Sequence, residues 1–207
     1  MTDEIEMARL QTQAVYERQA RHWDENRSRS LYEKPWLDKF IARLPAKSSV
    51  LDLGCGSGDP VAHYFMAAGF DVVGVDYSAA MIELARAKYA KARWYVQDMR
   101  SLGVNGLFDG IYSWDGLFHL CVDEQRALIP DLANRVRDGG AILLTVGTGE
   151  GEVTGTVGGE AVYHASLDPE DYRALFIDHG FQDVTYTAED PACQGRSVVL
   201  ATGKVTV

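Results

Sequence analysis

The sequence predicts an α/β fold: a mostly parallel seven-stranded sheet with helices on both faces and an antiparallel hairpin at its C-terminal end. Three observations carry that prediction. From residue 48 to residue 146, short apolar runs without regular polar alternation are separated by helix-length segments, which is how strands buried on both faces read. The first of these runs ends in three alternating glycines and is followed at once by a helix. Two more strand-like runs, FQDVTYTAE and SVVLATGKV, close the chain and read as a pair at one sheet edge. At 207 residues, one domain accounts for the whole length.

In chain order, Asp3 to Asn26 is a polar amphipathic helix with Leu10, Ala14, Tyr16, Ala20 and Trp23 as inward contacts. A second helix spans Lys34 to Arg43, with Pro35 in the first turn, where a missing N–H costs nothing. Residues 1–45 thus form a helical cap ahead of the core, residues 48–146. In the core, SSVLDLG, FDVVGVDYS, ARWYVQD, FDGIYSWDG and AILLTVGTG are strands one to five. The helices between them are DPVAHYFMAAG, SAAMIELARAKYA and DEQRALIPDLANRVRDGG. Residues 147–166 are glycine-rich, and their Val, Thr and Gly alternation fits either a hairpin or a lid. Asp168, Pro169, Glu170 and Asp171 then start a helix with a cap, a first-turn proline and early acids; residues 167–207 hold this helix and the closing strands.

Chemistry concentrates in Asp52-Leu53-Gly54-Cys55-Gly56-Ser57-Gly58-Asp59-Pro60. Glycines after a buried strand permit positive φ and let a ligand rest against bare backbone, with Asp59 as N-cap and Pro60 as first helical residue. A dinucleotide fingerprint needs G-x-G-x-x-G, and its third glycine would fall at Asp59. A carboxylate there repels a pyrophosphate. Asp52 and Asp59 instead favour a ligand that carries cationic groups and no phosphate.

This segment resembles the first motif of the class I S-adenosylmethionine-dependent methyltransferases, an acid followed by G-x-G-x-G after strand one. The resemblance implies a Rossmann-like methyltransferase fold and S-adenosylmethionine as cofactor, with Asp52, Gly54, Cys55, Gly56 and Gly58 as its first station. Asp76-Tyr77-Ser78-Ala79-Ala80-Met81 is similar to the second motif, with Asp76 on the ribose hydroxyls and Tyr77 and Met81 beside it. Asp98 and Met99, after strand three, correspond to the adenine station. Phe108-Asp109 opens strand four as in the family, and Ser113 and Trp114 at its carboxyl end border the cofactor by the switch-point rule for open sheets. Trp23 and Tyr16 match aromatic positions of a cofactor-covering N-terminal helix in related enzymes.

Methyl transfer needs alignment, exclusion of water and, for some acceptors, a base, so no universal catalytic residue is expected. His119 follows strand four, where family members present a residue toward the methyl group; it reads equally as a packed histidine. Tyr163 and His164 line the acceptor side or pin residues 147–166 down. His22, His63 and His179 lie in helices and read as structural. Ser113-Trp114-Asp115-Gly116 departs from the N/D-P-P-Y/F signature of amino-adenine and amino-cytosine methylation, and a Pro-Cys nucleophile pair is absent.

The net charge of −10 disfavours a phosphate-backbone partner, so no nucleic acid is expected. Cys55, Cys121 and Cys193 form no metal-ligand spacing and read as free thiols in a reducing cytoplasm. The acidic N-terminus is no secretory signal, and no run reaches membrane-spanning length. The expectation is a cytoplasmic methyltransferase, monomer or homodimer, acting on a small-molecule acceptor. The alternatives are a methyltransferase for RNA or protein, and a non-catalytic S-adenosylmethionine-binding regulator.

Overall fold

The computed structural model describes residues 2–206. Helices α1 (Thr2–Asn26) and α2 (Lys34–Ile41) precede β1 (Ser49–Leu53), α3 (Val61–Ala67), β2 (Asp71–Asp76), α4 (Ala79–Lys88) and β3 (Arg93–Val96). Then come β4 (Phe108–Ser113), α5 (Val122–Asn134), β5 (Val136–Val146), β6 (Gly151–Val157) and β7 (Glu160–Ser166). Helix α6 (Pro169–Asp178), β8 (Asp183–Asp190) and β9 (Arg196–Thr202) complete the order. Seven strands form one sheet in the order β3-β2-β1-β4-β5-β9-β8. The first five run parallel, and β9 enters antiparallel between β5 and the edge strand β8.

Each sheet face carries its own core. Leu51 and Leu53 of β1 pack with Val73, Ile111, Leu144 and Phe176 on one side, while Val50 packs with Phe65, Tyr112 and Trp36 on the other. That is the period-two geometry of a strand buried on both faces. Strand order reverses between β1 and β4, so the crevice for a ligand opens at their carboxyl ends.

Four boundaries and contacts differ from expectation. The helix read through Gly140 ends at Asn134, because Val136 already pairs with Phe108 and Gly139 takes φ +80. The polar run RVRDGG keeps helical spacing without making helical bonds. Helix α2 stops at Ile41, two residues early. Pro60, not Asp59, occupies the N-cap position of α3. In α1, Leu10 and Ala14 are exposed, and the stripe that packs is Ala8, Thr12, Val15 and Ala20, with Tyr16 and Trp23 partly covered. Leu10 sits instead at a cavity lip, and small residues take the inward positions because a hairpin approaches closely.

Residues 151–166 resolve as that hairpin, turning at Gly158 and Gly159, whose positive φ values of 57 and 83 suit a two-residue turn. It does not extend the main sheet. It stands apart and is clasped by α1: Val15 packs on Val157 and Val162, Ala8 on Tyr163 and Ala165. The Tyr163 N–H donates to Thr12 Oγ1 at 2.9 Å, and Gln19 donates to Glu160 at 2.8 Å.

Candidate active site

Two cavities meet at the carboxyl ends of β1, β2 and β4. One, of about 260 Å³, is bounded by the glycine loop, Asp76, Met81, Asp98, Trp114 and α1. The other, of about 480 Å³, lies between the hairpin, Phe118, His164 and Arg196. Tyr16, Trp23 and Asp115 line both, and so form the wall between them.

The loop after β1 builds the floor of the smaller cavity. Gly54 and Cys55 donate their N–H groups to the Val75 carbonyl at 2.9 and 3.1 Å, tying the loop to β2. Gly56, at φ +52, has no heavy atom within 4 Å of where a Cβ would stand, so its backbone lies bare. Asp76 receives the Gly56 N–H on one carboxylate oxygen and the Ser78 N–H on the other, each at 2.9 Å. Each oxygen keeps acceptor capacity toward the cavity.

The electrostatics are unusual for an interior. Burial raises the Asp76 carboxyl above the ordinary range against the pull of its backbone donors. Burial pushes Asp52 up to about 8, although Tyr112 donates to it at 2.8 Å. Neither acid has a cationic side-chain partner among the described residues. Asp59, in contrast, is paired with Lys88 at 2.9 Å and accepts from the Tyr89 hydroxyl at 2.5 Å. Burial lifts its carboxyl, but these partners hold it below the usual range. The acids left without a cationic partner among the described residues are therefore Asp52 and Asp76, and not Asp59.

Asp98 borders the cavity with both oxygens engaged by Arg100, Oδ1 at 2.9 Å and Oδ2 at 2.6 Å, and that guanidinium also reaches Glu124 at 3.0 Å. Burial pushes Asp98 upward, and Arg100 more than offsets it. Trp23, Asp52, Gly54, Cys55, Gly56, Asp76, Tyr77, Met81, Asp98, Met99 and Trp114 all line this cavity. Gly58 and Ser113 do not. A Cβ on Gly58 would stand 3.0 Å from the Trp94 ring, so that glycine serves packing and a φ of +80. Ser113 is fully buried and donates to the Leu53 carbonyl at 2.8 Å, holding β4 to β1.

His119 lines the smaller cavity and His164 the larger, with ring centroids 5.0 Å apart. His119 Nδ1 lies 2.8 Å from the Tyr163 carbonyl, which can only accept, so Nδ1 carries the proton. The Tyr16 hydroxyl, 2.9 Å from Nε2, is then the donor in that bond. Burial lowers His119 to about 4, which keeps it neutral. His164 is also lowered by burial, and its ring makes aromatic contacts with Phe118 at 4.6 Å but no hydrogen bond among the described residues. Tyr163 takes the opposite face of β7. Its ring is fully buried and its hydroxyl donates to Glu152 at 2.6 Å, away from both cavities.

Sequence reasoning missed a charge cluster beside the shared wall. Asp115, at φ +56, accepts Nε and Nη2 of Arg196 at 3.1 Å each, with Arg27 at 4.0 Å. Arg27 also pairs with the buried Glu33, and both guanidiniums lie over the Tyr32 ring, at 5.1 and 5.4 Å. Asp115 follows β4 directly, a position that signals a ligand-side residue; nothing in the sequence joins it to Arg196, 81 residues on.

Comparison with known proteins bears on the fold that carries these cavities. Residues 50–140 match the family model described as "Methyltransferase domain". The YqeM protein of Bacillus subtilis is 34% identical over 101 residues, covering 47% of this chain and 40% of that one. The malonyl-[acyl-carrier protein] O-methyltransferase of Enterobacter lignolyticus is 28% identical over 135 residues, covering 64% and 51%. The chain thus spans about half the length of the curated relatives it matches. Among solved structures, an amino pentose methyltransferase of Micromonospora echinaspora superposes with a TM-score of 0.69 at 20% identity, covering 90% of this chain and 96% of that one. The fold is therefore the Rossmann-like methyltransferase fold, with the part that matches a methyltransferase domain lying in residues 50–140.

Proposed function

We propose that the smaller cavity binds S-adenosylmethionine and that the protein transfers its methyl group to a small molecule held in the larger one. The observation that carries this is the pair of adjoining cavities with a shared three-residue wall, one of them holding two buried carboxylates without cationic partners among the described residues. A ligand with an ammonium, a sulfonium and a ribose diol fits that donor set. Bound there, the cofactor supplies an electrophilic methyl on sulfur.

The chain's own residues bind, orient and exclude water. Asp76 offers its free lone pairs to the two ribose hydroxyls, with the bare Gly56 backbone beside them. Asp52 faces the cationic end, held by Tyr112. Tyr16 and Trp23, packed edge to face at 5.8 Å, cover the transfer point, and His119 fixes the Tyr16 hydroxyl. A cavity of about 480 Å³ is the size of small-molecule sites, and the acidic net charge supports that class over a structured RNA. Among the described residues, no helix is long and apolar enough to cross a membrane.

Calorimetry tests the cofactor reading. S-adenosylmethionine and S-adenosylhomocysteine should bind and NAD should not. Asp52, raised to about 8, is mostly protonated at pH 7 in the free protein, and a cation beside it favours the ionised form. Binding at pH 7 should therefore release a proton, seen as a dependence of the measured heat on buffer ionisation enthalpy. Affinity should rise by up to about tenfold per unit between pH 6 and 8. Tight NAD binding with no response to either sulfur ligand would reject the cofactor.

We also propose that α1 and the β6–β7 hairpin close the site as one body. Arg18 and Gln19 join α1 to Glu160 on the hairpin side. On the other side Glu17 accepts from Ser78 Oγ at 2.6 Å and Asp24 from Ser57 Oγ at 2.5 Å. The hairpin is paired from Gly151 to Ser166, so its ladder amides should exchange slowly with or without ligand. Cofactor should instead slow exchange in α1 and at residues 147–150. Ladder amides that exchange fast when free and slow on binding would make the hairpin alone the gate.

A further inference from the structure

Resting on the proposed methyl transfer, we infer that the accepting atom is the nitrogen of a neutral primary amine, with one N–H on Tyr16 Oη and the other on the Asp115 carboxylate. The donor and acceptor of a methyl group must meet where the two cavities meet, and Tyr16, Trp23 and Asp115 are the residues lining both.

The polarity of that wall follows from hydrogen-bond bookkeeping. The Tyr163 carbonyl fixes the His119 proton on Nδ1, so Nε2 accepts from the Tyr16 hydroxyl. Tyr16 Oη has then spent its one hydrogen and presents lone pairs only. Asp115 is likewise an acceptor. Arg196 occupies one position on each oxygen, at 3.1 Å, and the Tyr32 hydroxyl lies 3.5 Å away. A carboxylate has about four such positions, so capacity remains.

Tyr16 Oη and Asp115 line both cavities, and two such acceptors brought to one atom discriminate among acceptor chemistries. A primary amine satisfies both with its two hydrogens and keeps its lone pair for the methyl carbon. A hydroxyl satisfies one and sets an oxygen lone pair against the other. A carboxylate oxygen satisfies neither and meets a like charge. The surrounding charges support the neutral amine: Asp115 and Glu33 are matched by Arg196 and Arg27. A balanced wall does not trap the amine as ammonium, whose lone pair is lost.

The step balances. The amine gives up its ammonium proton to water before it binds. Its lone pair forms the new N–CH₃ bond as the S–CH₃ bond breaks, with that pair left on sulfur as a neutral thioether. The positive charge passes to nitrogen, and the product leaves as a methylammonium, so no base in the chain is required.

Matched probes test this on protein saturated with S-adenosylhomocysteine. Weakly basic amines present the neutral form: trifluoroethylamine with trifluoroethanol and trifluoroacetate, and glucosamine with glucose, are titrated at mildly alkaline pH, where both amines are largely unprotonated, and followed by ligand-observed NMR. The amine member should bind at least about tenfold more tightly than its alcohol, the scale of one unmatched hydrogen-bonding group. Asp115→Asn presents an NH₂ donor where the carboxylate accepted, and asparagine tolerates the left-handed backbone at this position. Tyr16→Phe removes the other acceptor. In each variant, held at an S-adenosylhomocysteine concentration shown to saturate that variant, the amine-to-alcohol preference should fall to within about threefold. A wild-type preference for the alcohol or acid, or no preference in any matched set, overturns the inference and leaves the cofactor reading standing. Failure of S-adenosylhomocysteine itself to bind overturns both.

Discussion

Asp76→Ala should weaken S-adenosylmethionine binding by about 10² to 10⁴-fold while the protein stays folded. Two charge-assisted hydrogen bonds to the ribose are lost, each contributing about 1.5–3 kcal/mol. The Gly56 and Ser78 N–H groups also lose their acceptor, and with it the Gly56 backbone loses its fixed place. Folding suffers little, because the β1–β2 and β2–β3 registers are made by backbone and by Val73 and Val75. Removing a carboxyl whose ionised form is penalised by burial even relieves a cost. Asp76→Asn should be nearly as damaging. An amide keeps one acceptor oxygen and turns an NH₂ against one of the two N–H donors. Titration calorimetry beside thermal melting reads both effects. A dissociation constant within threefold of wild type, in a folded variant, removes Asp76 from the site.

What could be read in the sequence was what local chemistry dictates. The glycines at 54 and 56 and the acids at 52 and 76 stand at strand ends, where chain order alone places them by the ligand crevice. Gly58 and Ser113 belong to the same motifs yet serve packing and strand pairing, because a motif does not say which of its residues face the ligand. Tyr163 and His164 are neighbours on a strand, so at most one could enter a given cavity; treating the segment as a flexible lid hid that constraint. The end of α5 was hidden by a polar run whose spacing suits a helix while its backbone pairs with β4. The Asp115, Arg196, Arg27 and Glu33 cluster gathers three distant segments and leaves no local trace.

Gly74→Val should cost about 3 kcal/mol or more of stability and loosen the cofactor loop with it. Gly74 and Trp94 are register partners across β2 and β3, and the indole lies flat over the glycine. A Cβ at residue 74 would stand 2.3 Å from two Trp94 ring carbons and 2.9 Å from Cys55 Sγ. The ring has nowhere to go. Its Nε1 donates to the Tyr89 carbonyl at 2.9 Å, and its far edge is 3.0 Å from where a Cβ on Gly58 would be. Overpacking usually costs 1–3 kcal/mol; a blocked escape on both sides puts this site at the upper end or beyond. Movement of the indole pushes on Gly58 and so on the loop carrying Gly54 and Gly56, and S-adenosylhomocysteine affinity should fall in parallel. Trp94→Ala alone should cost about 3–5 kcal/mol, since the ring is almost fully buried. In Gly74→Val/Trp94→Ala the valine fills part of the vacated space, so the double variant should be more stable than the sum of the singles by at least about 1 kcal/mol. Denaturant melts of the four proteins measure that coupling. Additive costs would mean that the glycine is required for another reason and that Trp94 does not brace the loop.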